Sequence, residues 1–228
     1  MKTIVIAFNY VDYKDPNKKE AQDTAIRVLA ETPDWIFPVS FGFFGESNPK
    51  FHGINTLNLL KRNSRIEISN DRDLPYIKEI LDLASQIDCD KFGYINSDIL
   101  IGQEFIEAIQ EDADAYIFPR SDIGNVTAMD FFRGNYQVIY GGDQHIGADG
   151  FFFDKEWWKQ NRDKFPDDLI IGETEVDTCY RRLIERYSNN YIERRVLKHV
   201  YHDAKWGLTS HGAKNNIKIW KEIENDRS

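Results

Sequence analysis

The chain has 228 residues, with 38 Asp and Glu against 29 Lys and Arg and a net charge of −9. That balance argues against nonspecific nucleic-acid binding, which depends on clustered Lys and Arg; an anionic small molecule stays possible where a metal ion supplies local positive charge. Length and an aromatic content of 14% suit one α/β domain with a full core, not a disordered chain.

Thr3–Phe8 (TIVIAF) is continuously apolar and β-branched, as in a central parallel strand covered on both faces. Asn9 and Tyr10 then stand at its carboxyl end. After a polar loop with Pro16, Asn17 and Glu20 resemble a capping box. Ala21, Ala25, Val28 and Leu29 give helical spacing up to Pro33. Trp35–Phe41 reads as a second strand, which Pro38 moves toward an edge or a bulge. Gly42–Gly53 reads as loop and Arg65–Ser69 as a short strand. Asp73 is placed to cap a helix whose buried stripe is Ile77, Ile80, Leu81 and Ala84. Phe92, Tyr94 and Ile95 form the next strand, a short helix carries Phe105, Ile106 and Ile109, and Ala115–Phe118 is a further strand. This alternation is that of a doubly wound sheet.

Pro119–Gly150 reads as one long loop ending in a Gly-rich stretch, and such loops are often functional. Phe151–Phe153 reads as a strand and Lys155–Gln160 as a helical turn. Glu173–Tyr187 reads as a helix, Tyr191–His202 as a strand, and the tail from about Asn215 as a loose helix. Cys89 and Cys179 form no metal-binding spacing and read as small core residues of a reducing compartment. Met1–Phe8 is too short for a signal peptide, and no stretch nears the roughly 18 apolar residues of a membrane span. A cytoplasmic protein is expected, with peripheral membrane contact left open.

Three groups of residues could carry chemistry. Asn96-Ser97-Asp98 follows a buried strand, where ligands bind in open α/β sheets. One or two oxygens there suffice to hold a divalent cation on a diphosphate, since such ions bridge phosphates and keep water ligands. The bland reading of a lone Asp in that place is a turn or a cap. Glu173, Asp177 and Arg181 share a face if the helix starts at Glu173, although acids near a helix start also serve the macrodipole. His199 and His202 fall on opposite faces of a strand, so one of them is expected to enter a site.

Taken in order, these groups resemble the GT-A (nucleotide-diphospho-sugar transferase) fold of glycosyltransferases. The matching pieces are Asn96-Ser97-Asp98 for the DxD motif, Gly147-Ala148-Asp149-Gly150-Phe151-Phe152-Phe153 for the Gly-rich stretch, Glu175-Val176-Asp177 with Arg182 for the acidic motif, and His199 through Asp203 for the C-terminal histidine. The GxDxFxF and HxxHD patterns also look like a poorly characterised group of glycosyltransferase-like proteins. The resemblance spans residues 1 to about 210. It departs from the family pattern at Asn96, which replaces the first Asp, and at Val176, which replaces an acid.

The resemblance implies a Rossmann-like, mostly parallel sheet flanked by helices. A nucleotide-binding half would cover residues 1–120 and a smaller acceptor-side half residues 121–228. It implies a metal-dependent transferase moving a sugar from a nucleotide-diphosphate donor to a carbohydrate or glycoconjugate acceptor, in surface polysaccharide or glycoconjugate synthesis. Mn²⁺ or Mg²⁺ would be held by Asp98 and His202, with His199 as the other histidine. Asn9, Tyr10, Asn96, Ser97, Asp98 and Gly147 would bind the nucleotide-sugar. Asp177, Glu175 and Asp149 are the candidate bases, and Trp157, Trp158 and Trp206 a platform for the acceptor. Three rival readings are a nucleotidyltransferase, opposed by the lack of glycine after the first strand, a nucleotide- or sugar-binding module without catalysis, and a plain α/β domain with no such site.

Overall fold

The structure, a computed structural model, describes residues 1–46, 52–140, 148–201 and 209–226. Strand β1 (Ile4–Phe8) leads to α1 (Pro16–Ala30), β2 (Ile36–Phe43), β3 (Thr56–Leu60), α2 (Ser64–Ile68), α3 (Ile77–Ala84) and β4 (Lys91–Ile95). Next come β5 (Ile99–Ile101), α4 (Gln103–Gln110), β6 (Ala115–Ile123), α5 (Ala128–Phe132) and β7 (Val138–Tyr140). The chain continues through β8 (Ala148–Asp154), α6 (Lys155–Asn161), α7 (Val176–Tyr187), β9 (Tyr191–Glu193), β10 (Leu197–Val200) and α8 (His211–Asn225).

Among the described residues ten strands join one sheet of order β3-β2-β1-β4-β8-β6-β10-β5, with β7 and β9 also on β6. Its first part, β3-β2-β1-β4, is wholly parallel. Strand β8 enters antiparallel between β4 and β6, and β10 then lies parallel to β6. The expected division at residue 120 falls inside β6, and β8 and β10 complete the sheet begun by the first half. Among the described residues no helix is long and apolar enough to cross a membrane.

The buried run of β1 serves two cores at once. Ile4, Ile6 and Phe8 face the layer of α1, α4 and α5, while Val5 and Ala7 face α3, α6 and α7. That two-residue alternation with both faces covered explains why the strand is apolar throughout. The crossing of β4 and β8 is tight: a Cβ at Gly93 would stand 2.2 Å from the Phe151 carbonyl oxygen and 2.3 Å from the Phe152 ring. Cys89 and Cys179 are buried, and burial pushes both thiols up, to about 11 and about 12.

Several local expectations need correction. Helix α1 is capped by Asp15, whose side chain accepts from Asn17 N–H, with Pro16 in its first turn. Pro38 lies where β2 has β1 as its sequence-register partner, before β3 joins from Ser40 onward, so its missing N–H costs the ladder nothing on the β3 side. The segment read as a strand at Arg65–Ser69 is helix α2, capped by the Asn63 side chain. Asp73 does not cap α3, which starts after Tyr76 without a side-chain cap. The long loop after Phe118 contains the second half of β6, α5 and β7, and the strand expected at Tyr191–His202 is split into β9 and β10. The tail is an ordered helix, α8, capped by Ser210.

Candidate functional site

Strands β1, β4, β6 and β10 run in one direction and β8 in the other. The carboxyl ends of the first four and the beginning of β8 therefore share one edge of the sheet. Polar side chains collect along that edge in an unbroken series. The Tyr94 hydroxyl donates to Asn9 Oδ1 at 3.0 Å and lies 3.2 Å from Asn96 Oδ1. Asn96 Nδ2 donates to Asp149 Oδ1 at 2.9 Å, which also accepts from Arg120 Nη1 at 2.8 Å. Arg120 Nε donates to Asp122 Oδ1 at 3.1 Å.

The series ends on His199. In register, His199 stands between Ile99 of β5 and Asp122 of β6. Its Nδ1 is 2.8 Å from Asp122 Oδ1 and its Nε2 is 3.4 Å from Asp98 Oδ2. Asp98 immediately precedes β5, which explains how the residue reaches this ring. Burial disfavours the charged imidazole, but the hydrogen bonds to Asp122 and Asp98 outweigh it and hold His199 up at about 9. Arg120 is likewise desolvated, yet Asp149, Asp122 and Asp98 keep it charged.

Beside this series lies a cavity of about 190 Å³, walled by Tyr94, Asn96, Arg120, Asp149 and residues 171–177. Two non-ideal backbone positions shape that last stretch: Gly172 at φ 75° and Glu175 at φ 69°. A left-handed Glu is unusual and needs firm support from its surroundings. The support comes from α8. Asn216, wholly buried, accepts from Ile170 N–H at 3.1 Å and donates to the Ile170 and Thr174 carbonyls at 3.0 Å each. Glu173 accepts from Asn70 and from Ser210, the cap of α8. Helix α7 therefore starts at Val176, and Glu173 is not on a helical face with Asp177 and Arg181. Asp177 lines the cavity, and burial, then the charge of Asp149, raises its carboxyl above the ordinary range.

Of the residues expected at a site, Asn9, Asn96, Asp98, Asp149, Glu175 and Asp177 gather at this edge. Ser97 is buried and its hydroxyl donates to Gln22 Oε1 at 2.6 Å. Gln22 also binds both backbone groups of Val11, so one α1 residue fastens the turn after β1 to the Asn96–Asp98 segment. Tyr10 is half-buried and packs against the α1-side core. Gly147 and His202, with Asp203 and Trp206, lie outside the described residues. Trp158 is core, 1% exposed with its Nε1–H donating to Asp82, and Trp157 stacks on Phe153 at 5.9 Å, so neither forms an acceptor platform. Arg182 pairs with Glu185 and Glu224, on the α7–α8 surface.

Sequence reasoning missed Arg120, Asp122 and Asn216. Arg120 and Asp122 alternate with Ser121 and Ile123, a two-residue period hidden behind Pro119. Asn216 gave no signal, because its partners are backbone groups some forty residues away.

Asp98 Oδ2 and His199 Nε2 lie side by side, with Nδ1 of the same ring held by Asp122. A carboxylate oxygen and a carboxylate-oriented imidazole suit a divalent cation that takes its other ligands from phosphate and water. Among the described residues no group of three or more His, Cys, Asp and Glu side chains is arranged to hold a metal ion.

No family model and no curated protein sequence matches the chain. Among solved structures, the glycosyltransferase GlyE of Streptococcus pneumoniae TIGR4 aligns at 10% identity and a TM-score of 0.49, covering 99% of this chain and 62% of that one. The 1–349 fragment of S. aureus TarS aligns at 13% identity and a TM-score of 0.51, covering 88% of this chain and 60% of that one. The chain thus spans about three fifths of the length of these structures. At such identities the likeness is one of fold, and the α/β sheet flanked by helices, mostly parallel, is that expected from the sequence.

Proposed function

We propose that the chain is a metal-dependent glycosyltransferase that moves a sugar from a nucleotide-diphosphate donor to an acceptor hydroxyl on a carbohydrate or glycoconjugate. The observation that carries this reading is the meeting of Asp98 and His199 at the sheet edge that also holds Asn96, Arg120, Asp149 and Asp177. Asp98 and His199 would hold Mn²⁺ or Mg²⁺, with His202 as a further candidate. When bound, the cation stabilises negative charge growing on a departing diphosphate.

The remaining work falls to the chain's own residues. Asp122 fixes the His199 ring. Arg120 balances the carboxylates of Asp122 and Asp149, so several acids can stay ionised in a small volume. Asn96 offers its amide to a sugar or phosphate oxygen, in competition with Asp149. Asn9 and Tyr10 border the nucleotide at the end of β1. Asp177 is the preferred base, because burial raises its proton affinity toward that of a hydroxyl donor's partner. Asp149 is already engaged by two donors, and Glu175 is the second candidate.

The test is nucleotide release from a panel of UDP-, GDP-, CMP- and TDP-sugars, with Mn²⁺, Mg²⁺ or EDTA. Release from one donor class that stops with EDTA and in Asp98→Ala is the expected result. Release from none of them, by folded protein offered simple glycoside acceptors, contradicts the reading.

A further inference from the structure

Asp149 holds Asn96 twice over. The backbone N–H of Asn96 donates to the Asp149 carbonyl at 3.3 Å, and its Nδ2 donates to Asp149 Oδ1 at 2.9 Å. At the other end of the amide, Oδ1 lies 3.2 Å from the Tyr94 hydroxyl. The amide is gripped at both of its polar atoms. Turning it over would set its carbonyl oxygen, which can only accept, against the Asp149 carboxylate.

Asn96 also opens a turn. Ile99 N–H donates to the Asn96 carbonyl at 3.1 Å, so Asn96, Ser97, Asp98 and Ile99 form a four-residue turn with Asp98 in its third place. Gln22 fastens that turn at Ser97, and Asp149 fastens it at Asn96. Asp149 makes a firm anchor. It is buried, and its Oδ1 also accepts from Arg120 Nη1 at 2.8 Å. Gly150 beside it is wedged between strands: a Cβ there would stand 2.9 Å from Leu197 Cδ1 of β10 and 3.3 Å from Ile95 Cγ2 of β4. Strand β10 is the one that carries His199.

We infer that Asp149 is a positioning residue: through Asn96 it fixes the turn that presents Asp98 to His199, and residue 96 is an amide because it faces this carboxylate. The benefit to a cation rests on the metal-dependent reading; the clamp itself does not. Asp149 thereby leaves the candidate bases.

The inference reverses a simple expectation for Asn96→Asp. If Asn96 were only a missing carboxylate, the added charge beside Asp98 would strengthen cation binding. In the clamp, the new carboxylate meets Asp149 at the 2.9 Å that now separates Asn96 Nδ2 from Asp149 Oδ1. Arg120 is already shared between Asp149 and Asp122. Like charges so close repel, and the turn shifts to part them.

The experiment compares the parent with Asn96→Asp, Asn96→Ala and the swap Asn96→Asp/Asp149→Asn. One readout is Mn²⁺ affinity without nucleotide, by electron paramagnetic resonance. The other is amide exchange of Ile99, with the amides of β1 as the measure of general stability. In Asn96→Asp, Mn²⁺ affinity should fall about tenfold, as when a metal ligand loses its orienting partner. Ile99 exchange should quicken relative to β1. Asn96→Ala, which removes the clamp without adding charge, should move both readouts in the same directions. The swap again sets an amide against a carboxylate and keeps the net charge, so it should recover most of both changes. Equal or tighter Mn²⁺ binding in Asn96→Asp, no recovery in the swap, or Ile99 exchange that changes only in step with β1 would overturn the clamp. Folded parent protein that binds no Mn²⁺ contradicts the metal-dependent reading instead, and Ile99 exchange then decides the clamp.

Discussion

His199 Nε2 lies 3.4 Å from Asp98 Oδ2, and the opposite nitrogen of the ring is held by Asp122 at 2.8 Å. Strand register produces this pairing: β5 brings Asp98 to one side of β10 and β6 brings Asp122 to the other. The ring cannot turn without breaking the Asp122 contact, so Nε2 is directed at Asp98 before anything binds.

Asp122→Asn tests that orientation. An amide can still hydrogen-bond Nδ1 but no longer carries the charge. Removing such a partner from a metal-binding histidine commonly costs about 10–100-fold in affinity. Mn²⁺ affinity, followed by electron paramagnetic resonance with and without nucleotide, should fall within that range. An unchanged affinity would remove His199 from the cation site.

Arg120→Met tests the charge balance. The Arg120 side chain is 11% exposed and lies between two carboxylates buried to a similar degree, Asp122 at 14% and Asp149 at 9%. Removing one member of a buried ion pair typically costs about 3–5 kcal/mol. Chemical unfolding should show a loss of that order, partly recovered when Asp149→Asn is added. No loss would mean that the carboxylates are neutralised in another way.

Asn216→Leu tests the support given by α8. The substitution keeps the branched shape but leaves Ile170 N–H and two carbonyls without partners. Each buried group left so costs about 1–3 kcal/mol. Amide exchange over residues 170–177 should quicken far more than exchange in β1, and nucleotide cleavage should slow. Uniform quickening across the chain would show a general loss of stability instead of a local one.

Lys91 gives a pH dependence far from the site. Burial, then the charge of Lys2, pushes its ammonium down to about 8, although the Ile109 and Glu111 carbonyls and the Tyr116 hydroxyl all accept from it. The folded value lies below the unfolded one, so between pH 8 and the ordinary lysine range the unfolded chain binds more protons. This residue therefore makes the fold gain stability as pH rises through that window. Thermal melts of Lys91→Met and the parent, compared from pH 7.5 to 10.5, should show the parent improving relative to the variant. A constant difference would contradict the sign.

The parts of the fold legible in the sequence are those where one local signal prevailed. TIVIAF could only be a strand buried on both faces, and Ile77, Ile80, Leu81 and Ala84 could only be one helix stripe. Arg65-Ile66-Glu67-Ile68 misled because its alternation imitates a strand, whereas the Asn63 cap turns it into a helix. Pro119 concealed the rest of β6. The sheet tolerates that proline through a register shift at Phe118/Pro119, and the strand runs on to carry Arg120 and Asp122 to the site. Asp98 was visible because it ends a buried run. That His199 meets Asp98 depended on which strand lay beside β5, and pairing across a hundred residues leaves no local trace.

The central claim is tested most directly by calorimetric titration of the protein with UDP, GDP, CMP, TDP and their sugar conjugates, in Mn²⁺, in Mg²⁺ and in EDTA. The expected result is tight binding of one nucleotide class that disappears with EDTA and in Asp98→Ala, with the variant still folded. Binding that is indifferent to both, or no binding of any class by folded protein, would contradict it.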